Sequence, residues 1–177
     1  MSTTEITVRP ADPNDAEAVS EILAASYGDL YRGWYSDEIL QAVLPAMTRA
    51  KPELLACGTY YIATDGDRPI ACGGGTPGAP GDGSRRAALG HVRHFATHPD
   101  HLREGAASAV MDECLRTAAA AGVAEFECLS SLPAEPFYLS QGFRTERFET
   151  IRMRSGVRFA AALMRRPMAT ARRSRWG

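Results

Sequence analysis

The sequence predicts a single α/β domain of mixed strand order, and three observations carry that prediction. Short alternating stretches such as "EITVRPA" and "TYYIATDGDRPIAC" read as strands, and residues 104–121 carry a helical apolar stripe. No internal repeat and no linker divides the chain, so the elements share one core. A length of 177 residues suits one such core and is short for two.

The elements follow in order. A first strand spans Glu5 to Arg9. In "DPNDAEAVSEILAAS", Asp12 can cap a helix and Pro13 suits its first position, while Val19, Ile22, Leu23 and Ser26 share one face. "YGDLYRGWYSDEIL" then reads as an aromatic loop leading into a second helix, capped by Ser36 and ended or kinked by Pro45. Two strands meet at a tight Asp65-Gly66-Asp67 turn, and a longer strand runs from Ala88 to Thr97. Between them "GGGTPGAPGDGSRR" reads as a loose hairpin loop. It lacks the Gly-Lys-Ser/Thr of a phosphate loop, and no helix opens there.

The helix from Glu104 to Ala121 buries Ala107, Val110, Met111, Cys114 and Ala118 and ends at Gly122. "VAEFECLSS" is a strand and "AEPFYLSQ" a short helix stopped by Gly142. "FRTERFETIRM" and "VRFAAALMRR", split by Ser155-Gly156, form a closing hairpin. The domain is expected over residues 1–166, followed by a basic, flexible tail at 167–177.

Composition excludes several functions. Twenty basic side chains against 21 acidic ones leave a net charge of −1, so no nucleic-acid partner is expected. The tail arginines read as a solvated end. No apolar run is long enough to span a membrane, and "MSTTEITVRP" has no signal-peptide pattern. Cys57, Cys72, Cys114 and Cys128 are widely spaced without a CxxC pair, as in a reduced, cytoplasmic protein. His91, His94, His98 and His101 crowd into "HVRHFATHPDH". Strand periodicity turns His91 and His94 to opposite faces, and no metal site is expected.

Two windows carry chemistry. In "HPDHLREGAASAVMDECL" the smallest side chains stand at a helix start, where main-chain N–H groups lack intrahelical partners and the macrodipole is positive. Gly105, Ala106 and Ala107 leave those amides open to an anion, Arg103 adds charge and Ser108 a further donor. Small residues at such a place also serve close packing. In "SSLPAEPFYLSQGF", Tyr138 follows a strand end, either as a core aromatic or as a proton donor facing a cleft.

Together the windows resemble the GCN5-related N-acetyltransferase superfamily. That family carries Gln/Arg-x-x-Gly-x-Gly/Ala after its fourth strand. Here Gly105-x-Ala107 matches, Leu102 holds the Gln/Arg position, and Arg103-Glu104-Gly105 is similar to an Arg-Arg-Gly variant. The second signature, Asn-x-x-Ala-x-x-Phe-Tyr-x-x-x-Gly-Phe, is matched by Ser131, Ala134, Phe137, Tyr138, Gly142 and Phe143, with serine replacing asparagine.

The resemblance implies a sheet of about seven strands, mostly antiparallel, with flanking helices and a cleft where the fourth and fifth strands splay. It implies acetyl-CoA as co-substrate and no metal. The backbone of Phe95, Ala96 and Thr97 would hold the thioester and pantetheine arm. Arg103, Glu104, Gly105, Ala106, Ala107 and Ser108 would wrap the pyrophosphate, with Ser131 and Phe137 against the arm. Tyr138 would protonate the leaving thiolate. His91, at the position of a family glutamate, is either the base or a cleft-wall residue beside a water chain. Tyr27, Tyr31, Trp34 and Tyr35 either line the acceptor site or pack the first two helices. The expected function is N-acetyl transfer to the primary amine of a small molecule by a monomer or homodimer. The rival is a non-catalytic acyl-CoA sensor.

Overall fold

The opening alternation becomes strand β1 (Ile6–Pro10) in a computed structural model that describes Thr3 and residues 5–168. Asp12 caps a single 3-10 turn (Pro13–Asp15), accepting from the Asn14 amide, while Asp15 accepts from the Asp12 amide in return. Arg9 grips the Asp15 carboxylate with two bonds of 2.9 and 2.8 Å, which holds that carboxyl below its ordinary pKa. Helix α1 (Ala16–Leu30) follows and buries Val19, Ile22, Leu23, Ser26 and Tyr27. It runs one turn further than the sequence suggested, so Tyr27 is helical and not part of a loop.

Ser36 caps helix α2 (Asp37–Met47) with its Oγ, 3.3 Å from the Ile39 amide. Pro45 does not end α2 but stands inside its last turn. The helix closes at Thr48, whose N–H and Oγ1 both donate to the Leu44 carbonyl. A one-turn helix α3 (Pro52–Leu55) precedes β2 (Tyr60–Asp65) and β3 (Arg68–Thr76). These two pair as a hairpin across Gly66-Asp67, with Gly66 at φ +59°.

The remaining elements are β4 (Leu89–Thr97), α4 (Ala106–Ala120), β5 (Glu125–Ser131), α5 (Glu135–Ser140), β6 (Arg144–Arg152) and β7 (Arg158–Pro167). They complete one seven-stranded sheet in the order β1-β2-β3-β4-β5-β7-β6. Only β4 and β5 run parallel; every other pair is antiparallel. The expected mixed, mostly antiparallel sheet is what the chain builds. Pro167 closes β7 and the Met168 amide donates to Ala124, so the sheet reaches past the expected boundary at 166. The rest of the basic tail lies outside the described residues.

Apolar side chains fill both faces. Val19, Leu23, Tyr31, Val43, Ile62 and Phe159 form one core, under α1 and α2. Ile70, Val110, Met111, Phe126, Tyr138 and Phe143 form the other, under α4 and α5.

The glycine run at 73–75 is strand, not loop. Two aromatic rings lie flat where its side chains would stand. A Cβ on Gly73 would sit 2.6 Å from the Phe95 ring, and one on Gly75 would sit 2.8 Å from Phe126, whose ring equally bars a Cβ on Gly90. These glycines give the rings of β4 and β5 room against the sheet. Gly75→Ala should therefore destabilise the fold by about 1–3 kcal/mol, read as a lower urea midpoint. Adding Phe126→Leu to that variant should recover part of the loss.

Candidate functional site

β4 and β5 separate soon after they meet. Their parallel pairing covers only Leu89–Glu125, Gly90–Phe126 and His91–Glu127. Beyond that point β4 stays with β3 as far as Thr97, and β5 stays with β7 as far as Ser131. A wedge opens between the two inner strand edges.

A bulge in β4 accompanies the parting. Pairing jumps from Gly74–Arg93 to Cys72–Ala96, so Gly73 faces both His94 and Phe95. His94 adopts φ +45°, in the left-handed region that disfavours residues with a Cβ. Two buried tyrosines hold this strained backbone. The Tyr60 hydroxyl donates to the His94 carbonyl at 2.9 Å, and the Tyr27 hydroxyl donates to the Phe95 carbonyl at 3.1 Å. Burial drives the His94 imidazole down to about 4, so it is neutral at pH 7.

The wedge leads into a cleft of about 320 Å³ bounded by the end of β4, the start of α4 and α5. Gly105 enters α4 at φ +86°, and its helix has no side-chain cap. The first intrahelical bond of this turn is Ala109 N–H to the Gly105 carbonyl at 3.0 Å. The Ala106, Ala107 and Ser108 amides precede it and have no partner within the helix. A Cβ at Gly105 would meet nothing within 4 Å, so the cradle is open space. Arg103 lines the cleft in the left-handed conformation, φ +62°. The Gln141 side chain donates to Ser108 Oγ at 3.0 Å, which ties α5 to the start of α4.

Tyr138 is buried and lines the same cleft, its ring edge-on to Phe95 at 6.2 Å and to Phe143 at 5.6 Å. Burial, with the Cys128 thiol and Tyr27 beside it, raises its phenol well above the ordinary value. It keeps its proton across the physiological range.

Phe95, Ala96, Thr97, Arg103, Gly105, Ala106, Ala107, Ser108, Phe137 and Tyr138 therefore come together on one cleft. Other expected residues do not join that lining. Glu104 points its carboxylate at His101 Nδ1, 3.1 Å away, and Ser131 is buried at the end of β5. His91 sits 5% exposed where β4 and β5 are still bonded, with Nδ1 3.9 Å from Glu127 Oε1. Burial lowers its pKa, and Glu127 opposes that shift.

Of the aromatics expected at the acceptor site, Tyr27 and Tyr31 stack at 5.0 Å inside the core. Tyr35 stacks on Phe159 at 4.3 Å, and its hydroxyl both donates to the Ala160 carbonyl and accepts from the Leu132 amide. Only Trp34 is exposed, at 57%. It borders a groove of about 500 Å³ with Phe148, Glu135 and Glu149. The segment 132–138 contributes to both groove and cleft, and so divides them.

Sequence reasoning missed the contribution of α1 and of His101. Ser26, Asp29 and Leu30 line the cleft from the last turn of α1. Their 3- and 4-residue spacing was a usable signal, because Ser26 is the polar member of an otherwise apolar face.

Comparison with known proteins agrees with this geometry. A family model described as an acetyltransferase (GNAT) domain matches residues 56–145. A GCN5-related N-acetyltransferase from Rhodopseudomonas palustris superposes with a TM-score of 0.77 at 21% identity, covering 94% of this chain and 98% of that one. The PaiA N-acetyltransferase from Thermoplasma acidophilum, solved with coenzyme A, gives 0.70 at 14% identity over 92% and 99%. The ribosomal-protein-S18-alanine N-acetyltransferase from Escherichia coli gives 0.62 at 16% identity over 98% and 100%. At these identities the likeness is one of fold. By sequence alone, no curated protein matches the chain.

If the tyrosine hydroxyls hold the bulge, Tyr60→Phe leaves the His94 carbonyl without its hydroxyl donor. The loss should be about 1–2 kcal/mol of stability, visible as a lower denaturant midpoint with an unchanged slope.

Proposed function

Because the chain belongs to the GNAT acetyltransferase family, we propose that it moves the acetyl group of acetyl-CoA to the primary amine of a small molecule within a ternary complex. The observation that carries this reading is the wedge between β4 and β5, which joins an uncapped helix start to a buried, neutral phenol. The residues present fit CoA. The amides of Ala106, Ala107 and Ser108 can bind a diphosphate without hindrance, and the macrodipole and Arg103 favour its charge. The parted inner edges of β4 and β5 offer main-chain groups to an extended amide-bearing arm.

Acetyl-CoA supplies an activated thioester carbonyl, which the acceptor amine attacks directly. Tyr138 holds a proton at its hydroxyl and delivers it to the sulfur as the carbon–sulfur bond breaks. A thiolate leaves poorly without that proton, and a phenol kept neutral by burial is always loaded. The proton lost by the amine passes to His91 or through water. His91 suits a base because burial keeps it neutral at pH 7.

The groove beside Trp34 is our candidate acceptor site. An indole and Phe148 next to the Glu135 and Glu149 carboxylates suit a cationic amine with an apolar part. Among the described residues, no helix is long and apolar enough to cross a membrane. Cys57, Cys72, Cys114 and Cys128 are free thiols, which fits a reducing, cytoplasmic setting.

Acetyl transfer to a panel of small amines tests the reading. Tyr138→Phe should lower kcat by about 100-fold or more with little change in KM for acetyl-CoA. CoA binding without turnover on a broad panel would instead favour an acyl-CoA sensor. If His91 is the base, its neutral form is needed. The kcat/KM of the unaltered enzyme should then fall as pH drops through the lowered pKa of His91, below the ordinary 6.5. His91→Gln should remove that limb, while proton loss through water would leave it in place.

A further inference from the structure

The cradle at the start of α4 lacks the side chain that its helix end invites. Leu102, at the place where a long polar residue would face the anion, is apolar and 56% exposed. Glu104 brings a negative charge into the same turn. Its carboxylate is not free, since it lies 3.1 Å from Nδ1 of His101. The His101 ring lines the cleft and its side chain is 14% exposed. Its other nitrogen, Nε2, is shielded from water and has no partner among the described residues.

This arrangement fixes the tautomer. An Nδ1–H donated to the Glu104 carboxylate leaves Nε2 as a bare lone pair in the neutral ring, which repels an anion. Protonation turns Nε2 into a charged donor that a phosphate oxygen can accept from. A shielded nitrogen without a partner is costly, and a ligand in the cleft can satisfy it.

We infer that His101 is the charged side-chain contact to the diphosphate of CoA and takes up a proton from solvent as CoA binds. The inference rests on the reading of the cleft as a CoA site. One proton moves from water or buffer to Nε2, and no covalent bond of CoA changes. The charged and titratable groups around the ring are Glu104 and Arg103 in its own turn, Asp100, His98 with its ring 6.1 Å away, and Asp29 across the cleft from α1. Asp100 lies 3.7 Å from His98 Nδ1, so Glu104 is the carboxylate that governs His101.

Calorimetry on the full chain tests this without turnover. The probe is dephospho-CoA, which keeps the diphosphate but lacks the 3′-phosphate, whose own titration would confuse the result. At pH 7.5 the binding enthalpy should differ between phosphate and Tris buffers in the sense of net proton uptake. Affinity should weaken as pH rises from about 6 to 8.5. His101→Gln should bind about tenfold more weakly at pH 6 and lose both the uptake and the pH dependence. Glu104→Gln should keep binding but move the pH midpoint downward, a change that a merely structural role would not produce. Binding by the unaltered chain with no proton uptake and a flat pH profile overturns the inference and leaves the CoA reading intact. No binding at any pH overturns both.

Discussion

The early parting of β4 from β5 is the constraint on which the rest of the molecule depends. Parallel strands normally satisfy each other's main chain along their whole length. Here they do so only through His91 and Glu127, and each then remains bonded on its outer side alone. The bulge at His94 and Phe95 bends β4 away, and the hydroxyls of Tyr27 and Tyr60 hold it there from the core. The glycines at 73 and 75 serve the same end, by letting Phe95 and Phe126 lie flat on the strands around the opening. Core packing and cleft shape are thus one problem. A substitution under the sheet reaches the site through the bulge.

Charge in the cleft is arranged with little excess. The whole chain carries a net charge of −1 and one lysine, Lys51, so attraction of an anion has to be local. Uncapped amides at α4 supply part of it, because the helix start is positive and nothing fills the space before it. Arg103 and the His101–Glu104 pair supply the rest. The basic residues of β7 are occupied elsewhere: Arg165 binds Glu125 and Glu127, and Arg166 donates to the Gln141 carbonyl.

Much of this was legible in the residues, and the misses have physical causes. Periodicity found the strands and α4, and Ser36 capped α2 as expected. The small residues at 105–107 and the tyrosine at 138 do come together on one cleft. Pro45 misled because a proline in a last turn forfeits only one bond, and Thr48 closes the helix behind it. The triple glycine misled because an alphabet of turn residues cannot show that an aromatic ring from another strand occupies the vacated side-chain space. Tyr27 and Tyr31 looked like acceptor contacts until α1 ran on to Leu30 and buried them. The bulge at His94 leaves no periodic trace in the sequence at all. It comes from pairing with β3, which is long-range.

Amide hydrogen exchange followed with and without CoA examines the cleft most directly. If the ligand lies between the parted strands against the open helix start, CoA should slow exchange at residues 105–108 and along the 95–97 edge, with little change in β1 and β6. Protection confined to other segments, or absent at saturating CoA, would contradict a site built on the β4–β5 opening.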